Sequence, residues 1–178
     1  MRKLLNEELG RMDVNSFKES KKIPVVVVLD NVRSMNNIGS VFRTSDAFRI
    51  RMILLCGITA VPPNKEIHKT ALGATESVDW KYYERTKEAL EECKKQGYTV
   101  CSVEQTEGSI MLESFEVKPG EKYALVFGHE VRGVDQEVVD ISDNCIEIPQ
   151  YGTKHSLNIS VSAGIVLWEF FRKLQNVL

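Results

Sequence analysis

The sequence has few cysteines and no long apolar segment, and both absences limit the class of protein that it can encode. Its four cysteines (Cys56, Cys93, Cys101 and Cys145) are scattered, with no C-x-x-C pair and no histidine at ligand spacing. We therefore expect reduced, mostly buried thiols and no bound metal. No apolar run approaches the roughly 20 residues of a membrane span. The N-terminal stretch has acids within its first turns and no long apolar run, so it does not resemble a secretory signal, and a cytoplasmic protein without membrane contact is expected.

The sequence also lacks the glycine-rich loops that bind phosphates in many nucleotide-dependent proteins. Neither G-x-G-x-x-G nor G-x-x-x-x-G-K-[ST] occurs anywhere in the 178 residues. A standard dinucleotide site or P-loop is therefore excluded, and a nucleoside ligand would have to bind by another route.

Charge is unevenly distributed along the chain, although the net charge is only −2. Residues 31–69 carry six Lys or Arg against two acids, a local excess of +4. Residues 76–147 carry eight Lys or Arg against seventeen acids, a local −9. This asymmetry predicts a basic and an acidic face on one small domain, although ordinary solvated surfaces would produce the same counts.

Continuous apolar runs alternate with helical patterns. Strands are predicted at 25–29, 51–56, 80–83, 98–103, 123–127 and 145–148, and helices at 3–17, 36–48, 86–96 and 159–174, with Asn36 or Asn37 capping the second helix. Strands without period-two alternation are buried on both faces. The sequence therefore predicts an α/β fold with a mostly parallel sheet flanked by helices. Residues 1–22 form a helical extension and residues 23–178 form one domain.

Three polar or glycine-rich loops follow predicted strands, at the edge where open parallel sheets bind ligands. They contain Asn37-Ile-Gly-Ser-Val-Phe-Arg43-Thr, Leu125-Val-Phe-Gly-His-Glu130-Val-Arg-Gly133-Val and Ile148-Pro-Gln-Tyr-Gly-Thr-Lys-His-Ser156-Leu-Asn158-Ile-Ser-Val-Ser-Ala. Together with Lys69-Thr-Ala-Leu-Gly-Ala74, these segments resemble, in order, the motifs of the SpoU (TrmH-like) branch of the SPOUT RNA 2′-O-ribose methyltransferases.

The resemblance implies a fold that hydrophobic patterns alone could not predict. SPOUT domains contain a C-terminal deep trefoil knot, and knots are very rare among protein folds. The knotted loops of the family clamp S-adenosylmethionine in a bent shape, largely through backbone groups. The residues that the resemblance assigns to the cofactor are Leu125, Phe127, Gly128, Glu130, Gly133, Ile148, Pro149, Ser156, Leu157 and Asn158.

Several of these residues also fit a purely structural role. Gly128 and Gly133 fit ordinary turns, and Ile148 and Leu157 fit a hydrophobic core. Ser156 and Asn158 are suitable caps for the closing helix, and Glu130 is either a solvated loop acid or a residue that orients Arg43 or Asn37.

The resemblance assigns catalysis to Arg43, with Asn37, Glu130, Ser156 and Asn158 beside it. A guanidinium has a pKa above 12, so it is a poor general base for the ribose hydroxyl. Arg43 is better suited to hold a phosphate and stabilise the developing alkoxide, while a water or the carboxylate of the cofactor takes the proton.

The partners implied are RNA and a second copy of the chain, since family members are homodimers that bind RNA across both subunits. The predicted RNA contacts are Arg33, Arg43, Lys69, Arg132 and Lys154. A chain without a further RNA-binding domain favours tRNA over ribosomal RNA. Two alternatives stay open, namely an inactive SPOUT-like RNA-binding module and a flavodoxin-like domain that binds a small nucleotide.

Overall fold

Seven parallel strands form one sheet in the computed structural model, which describes all 178 residues. The strands are β1 (Ile23–Asp30), β2 (Ile50–Cys56), β3 (Trp80–Tyr83), β4 (Tyr98–Val103), β5 (Ile110–Met111), β6 (Lys122–Phe127) and β7 (Asn144–Glu147). Their spatial order is β3-β2-β1-β6-β4-β7-β5, and every pairing is parallel. The predicted α/β fold with a parallel sheet is confirmed.

Helices cover both faces of this sheet. They are α1 (Val14–Glu19), α2 (Met35–Ala47), α3 (Lys65–Ala71), α4 (Ala74–Ser77), α5 (Thr86–Lys95), α6 (Gln136–Asp140) and α7 (Ile159–Leu174). Side chains of α1 to α4 and α7 share one hydrophobic core with one face of the sheet. Side chains of α5 and α6 form a smaller core on the other face.

Strand β1 shows why the apolar runs of this sequence are continuous. Val25, Val27 and Leu29 point into the larger core, whereas Val26 and Val28 point into the smaller one. Successive side chains of a strand alternate between faces, so a strand covered on both sides needs an apolar residue at every position. Each such buried side chain contributes about 1.5–3 kcal/mol to stability.

The N-terminal segment differs from its prediction as a single helix over residues 3–17. Gly10 adopts a left-handed conformation with φ of 58° and ends a short 3-10 turn at Asn6–Leu9. Helix α1 begins only after Asp13, whose carboxylate accepts a hydrogen bond of 2.9 Å from the amide of Ser16. Phe17 is the only residue of this segment whose side chain is buried in the core.

Smaller differences concern caps and short elements. Ser34, not Asn36 or Asn37, caps α2 through its hydroxyl, and the strand predicted at 145–148 begins and ends one residue earlier. β5 and α6 were not predicted, because two and five residues are too few to establish a periodicity. The trefoil knot stays a prediction.

The structure contains neither a cluster of metal ligands nor a helix that could span a membrane. Burial raises the pKa of Cys56 and of Cys101 to about 12, so both thiols stay protonated at neutral pH. No group of three or more His, Cys, Asp or Glu is placed to hold a metal ion. None of the helices combines the length and the apolar composition that crossing a bilayer requires.

Helices α2 and α3 approach each other so closely at Gly39 that no side chain fits there. A Cβ at Gly39 would lie 2.1 Å from Thr70 Oγ1 and 2.3 Å from the carbonyl oxygen of Ile67. Gly39→Ala is therefore expected to lower the free energy of unfolding by about 1–3 kcal/mol, because backbone must shift. Urea denaturation followed by circular dichroism measures this change. Ser40→Ala, on the same helix, serves as the control and should stay within about 0.5 kcal/mol of wild type.

Candidate functional site

A cavity of about 530 Å³ opens at the carboxyl edge of the sheet. The loops after β6, β4 and β7 line it together with the start of α7. These three strands are neighbours in the sheet and run parallel, so their carboxyl ends meet at one place. We call this the carboxyl-edge cavity, and it lies where open α/β sheets bind ligands.

The loop after β6 folds back on itself at two glycines. Two backbone hydrogen bonds, of 2.9 and 2.8 Å, join His129 to Gly133. A Cβ at Gly128 would lie 2.1 Å from the carbonyl carbon of Gly133, and Gly133 itself has a φ of 69°. Both positions therefore require glycine, one for the close approach of backbone and the other for its conformation.

Glu104, from the loop after β4, holds the far side of this turn. Its carboxylate accepts hydrogen bonds from the amide of Val134 at 3.0 Å and from that of Gln105 at 2.9 Å. It also lies against Gly133, where an added Cβ would be 2.1 Å from Glu104 Oε2. The turn at 128–134 is thus stabilised by its own backbone hydrogen bonds and by the carboxylate of Glu104.

Glu130, at the tip of the same turn, connects it to α2. Its carboxylate accepts hydrogen bonds from the amides of Arg33 (3.0 Å) and Ser34 (2.8 Å) and from Asn37 Nδ2 (3.1 Å). Partial burial raises the pKa of Glu130, but these hydrogen bonds outweigh it and leave the pKa below its ordinary value. Glu130 therefore stays ionised and orients Asn37 rather than Arg43.

Asn37 continues the connection to the last helix. Its Oδ1 accepts a hydrogen bond of 3.2 Å from Asn158 Nδ2. The Oδ1 of Asn158 in turn accepts from the amide of Ser160 at 2.9 Å, which makes Asn158 the cap of α7. One line of hydrogen bonds therefore joins all three sequence motifs, from Glu130 through Asn37 to Asn158.

A buried acid ties together the loops after β1 and β6. Asp30, at the end of β1, accepts hydrogen bonds from the Thr86 hydroxyl and, at 3.0 Å each, from Asn31 Nδ2 and the amide of Asp135. Desolvation raises the pKa of Asp30 in spite of these bonds. Asn31 Oδ1 also accepts from the amide of Ile58 at 3.2 Å, so the loop after β2 joins the same cluster.

Most of the residues predicted to hold the cofactor line the carboxyl-edge cavity. They are Phe127, Gly128, Glu130, Gly133, Ile148, Ser156, Leu157 and Asn158. Leu125 does not, because it lies in the middle of β6 with its side chain fully buried in the larger core. Pro149 is half-buried beside the cavity and is not among its lining residues. Ser156 lines the cavity but caps no helix.

Sequence reasoning missed the contribution of the loop after β4. Val103, Glu104 and Gln105 line the cavity, and Gln105 Nε2 also donates a hydrogen bond of 2.7 Å to the carbonyl of His155. No motif marks these residues. The position of the predicted strand 98–103 was the available signal, because every strand of a parallel sheet ends at the same edge.

Arg43 lies outside this cavity in its own chain. It is exposed on α2 and forms no hydrogen bond or ion pair within the chain. It follows Asn37 by six residues, which is about 9 Å along the helix axis. The structure therefore joins Asn37, Glu130 and Asn158 but does not bring Arg43 to them.

The residues predicted to contact RNA lie in different parts of the structure. Arg132 lines the cavity, and Arg33 borders it through the hydrogen bond from its amide to Glu130. Lys154 is exposed on the loop before α7, and Lys69 is exposed on α3 with its ammonium 2.7 Å from Glu66.

Relatives of known sequence match nearly the whole chain. A protein assigned to the TrmH family of tRNA/rRNA methyltransferases, from Staphylococcus haemolyticus, is 29% identical over 164 residues, which are 92% of this chain and 65% of the relative. A 23S rRNA (guanosine-2′-O-)-methyltransferase of Vibrio parahaemolyticus is 28% identical over 94% of this chain and 66% of its own length. The chain thus spans slightly less than two thirds of these relatives.

Solved structures show the same fold. A TrmH/SpoU tRNA-modifying enzyme of A. aeolicus superposes with a TM-score of 0.81 at 26% identity, over 92% of this chain and 82% of that one. An AdoMet-bound rRNA methyltransferase of Sinorhizobium meliloti superposes with a TM-score of 0.80 at 26% identity, over 89% and 60%. The model of the SpoU rRNA methylase family matches residues 24–168 and confirms the resemblance seen in the motifs. The chain belongs to the SpoU rRNA methylase family.

Proposed function

We propose that this protein transfers the methyl group of S-adenosylmethionine to a ribose 2′-hydroxyl of RNA, and of tRNA in preference to ribosomal RNA. The observation that carries the proposal is the line of hydrogen bonds from Glu130 through Asn37 to Asn158. It fixes the helix that carries Arg43 against the rim of the carboxyl-edge cavity. The candidate cofactor site and the helix of the candidate catalytic arginine are thereby connected through hydrogen bonds.

The carboxyl-edge cavity fits S-adenosylmethionine in size and in the nature of its walls. Its volume of about 530 Å³ lies within the usual range of small-molecule sites. Ile148 and Leu157 offer apolar surface to an adenine ring, and the glycine turn at 128–133 exposes backbone groups. The carboxylates of Glu104 and Glu130 give the cavity negative charge, which suits a cationic ligand. When bound there, the cofactor supplies an electrophilic methyl group.

Arg43 would act on the RNA rather than on the cofactor. As a permanent cation with a planar fork of donors, it can hold a phosphate bidentately and stabilise negative charge on the attacking ribose oxygen. It keeps its proton throughout, so the hydroxyl proton leaves to water or to a carboxylate. Asn37 and Glu130 would position the start of α2, on which Arg43 is carried.

The location of Arg43 favours a homodimer in which it serves the cavity of a second copy. Helix α7 packs beside α2 and leaves an apolar stripe uncovered, with Val161 49%, Ile165 38% and Trp168 51% exposed. The Trp168 ring lies 5.7 Å from that of Phe48 and 5.8 Å from that of Phe171. Large exposed aromatic patches of this kind are typical of protein interfaces.

The preference for tRNA is supported by the A. aeolicus enzyme, which this chain matches over 82% of its length. Ribosomal RNA is the alternative substrate, since the relatives from V. parahaemolyticus and S. meliloti act on rRNA. An inactive RNA-binding module is disfavoured, because Arg43, Glu130, Ser156 and Asn158 are all retained.

Cofactor binding is tested by isothermal titration calorimetry with S-adenosylmethionine. Wild type is expected to bind with a Kd in the micromolar range, and Gly128→Ala is expected to weaken binding by at least tenfold, because its methyl group would displace the turn at Gly133. Gly152→Ala is the control, since a Cβ there meets no atom within 4 Å. Equal affinities for all three proteins would contradict the cofactor site.

Methylation is tested with labelled cofactor and separate tRNA and rRNA fractions, followed by mass spectrometry of the nucleosides. We expect 2′-O-methylated nucleosides from tRNA. Arg43→Ala and Arg43→Lys should lower the rate by about 100-fold or more with an unchanged Kd for the cofactor. Arg51→Ala removes an exposed arginine of β2 and should leave the rate unchanged. Methyl groups on bases, or full activity of Arg43→Ala, would contradict the proposal.

The homodimer is tested by mixing two impaired variants, Arg43→Ala and Gly128→Ala, at a cofactor concentration far below the weakened Kd of the second variant. If Arg43 serves the cavity of the partner, each mixed dimer has one complete site, and random exchange restores about a quarter of wild-type activity. If Arg43 serves its own cavity, the mixture stays inactive. Trp168→Glu should shift the mass measured by light scattering from that of a dimer to that of a monomer, because a charge would be buried in the interface.

A further inference from the structure

A second cavity, also of about 530 Å³, lies between the loop after β2, helices α3 and α4, and the start of β3. It shares no residue with the carboxyl-edge cavity. Its apolar wall consists of Pro62, Pro63, Ile67 and Trp80. Ile67 is fully buried and Trp80 packs against the larger core, so this wall is a fixed part of the fold. We call it the Trp80 cavity.

Four polar side chains that line the Trp80 cavity have no partner within the chain, whereas a fifth, Asn64, caps α3 through its Oδ1. The Lys65 ammonium, the His68 imidazole, the Thr75 hydroxyl and the Glu76 carboxylate form no hydrogen bond or ion pair. By contrast Lys69, one residue beyond His68 and outside the cavity, is paired with a neighbouring acid at 2.7 Å. The cavity therefore offers four polar groups that are free to bind a ligand.

The indole of Trp80 adds an unpaired donor to the same wall. Tryptophan N–H groups usually find a hydrogen-bond partner when they are buried. Trp80 is half-buried and its Nε1 has no partner, yet this atom is not among the polar atoms shielded from solvent. The N–H therefore faces open space and is available to a ligand.

These groups together match the chemistry of a nucleotide. The indole and the two prolines offer flat apolar surface to a base, and stacking on an aromatic side chain tolerates any base. Lys65 and His68 supply donors for a phosphate. The Thr75 hydroxyl offers a donor and the Glu76 carboxylate offers acceptors to the hydrogen-bonding edge of the base. The volume lies within the range of small-molecule sites.

The position of α3 connects the Trp80 cavity to the surface proposed for RNA. The Thr70 hydroxyl donates a hydrogen bond of 2.9 Å to the carbonyl of Asn36, and α3 meets α2 without a side chain between them at Gly39. Helix α2 carries Arg43, so RNA held at Arg43 lies within about one helix diameter, 10–12 Å, of α3. The cavity also belongs in part to the basic segment 31–69, whose local charge is +4.

We propose that the Trp80 cavity binds one unstacked nucleotide of the substrate RNA, distinct from the nucleotide that is methylated, with its base on Trp80 and its phosphate at Lys65 and His68. The inference rests on the proposed RNA substrate. The site would give affinity and register for single-stranded RNA without taking part in the reaction. A free mononucleotide has the same chemistry, and the experiment below separates the two sources.

Fluorescence reports on this cavity directly, because the chain has only two tryptophans. In a Trp168→Phe background Trp80 is the sole reporter. Single-stranded hexaribonucleotides are expected to quench it at least tenfold more tightly than AMP, and inorganic phosphate is expected to compete only weakly. Quenching by AMP as tight as by the hexamers would overturn the RNA assignment in favour of a free nucleotide. Absence of quenching by either would overturn the site itself.

Steady-state kinetics provide the second readout. Lys65→Ala, His68→Ala and Trp80→Leu are expected to raise KM for RNA, by about tenfold for the loss of the base stack, with kcat and the Kd for S-adenosylmethionine unchanged. Tyr82→Leu removes an exposed aromatic side chain of β3 outside the cavity and is the matched control. Trp80→Phe should recover part of the lost affinity.

Should Trp80→Leu fail to fold, the variants at the exposed residues Lys65 and His68 still decide the test. An unchanged KM for RNA in both Lys65→Ala and His68→Ala would overturn the proposal. Failure of the proposed function is recognised separately. In that case wild type methylates no RNA, while the fluorescence titration still decides whether the Trp80 cavity binds a nucleotide.

Discussion

The carboxylate of Glu130 is the point on which the arrangement of the site depends. It accepts three hydrogen bonds from the segment that begins α2, and Asn37 passes the connection on to the cap of α7. Glu130 is exposed, so these donors rather than burial hold its carboxylate in place, and all three come from residues 33–37. The ionised form of one side chain therefore fixes the relative positions of a turn, a helix start and a helix cap. The sequence left two roles open for Glu130, a solvated loop acid and a residue that orients Arg43 or Asn37, and only the fold decides between them.

Sequence reasoning was most accurate where physical constraints are local and strong. The strands at 80–83 and 98–103 and the helix at 159–174 have the predicted bounds, because apolar runs and helical periodicity are set by burial within each element. It assigned Leu125 to the cofactor without predicting that its side chain lies in the core, since a family motif marks a stretch of chain and does not say which of its side chains are buried. It missed Glu104, whose role depends on the neighbouring strand order β6-β4-β7 and so on contacts that no local pattern records. Gly10 shows the same limit on a smaller scale, because the helix predicted over residues 3–17 is interrupted by this one left-handed glycine.

In the proposed function, two tasks fall to two regions of the molecule. The carboxyl-edge cavity is built from rigid backbone, with two glycines and a clamping acid, and has the size and walls of a cofactor site. The basic segment on α2 and α3 carries exposed side chains that are free to meet a flexible polyanion. A rigid donor pocket and an adaptable acceptor surface would let one fold keep its chemistry while the recognised RNA changes among relatives, because substitutions on α3 leave the glycine turn untouched.

The strand order has a consequence for how the protein is made. The cavity needs β6, β4 and β7, and its last polar contact joins Asn37 to Asn158, residues 121 positions apart. A ribosome that has released the first half of the chain has exposed β1 and β2 but none of the cavity. Contacts of such long range form slowly, since the loop between them must close first. A nascent chain therefore has no place for its ligand until the residues up to the start of α7 have been added.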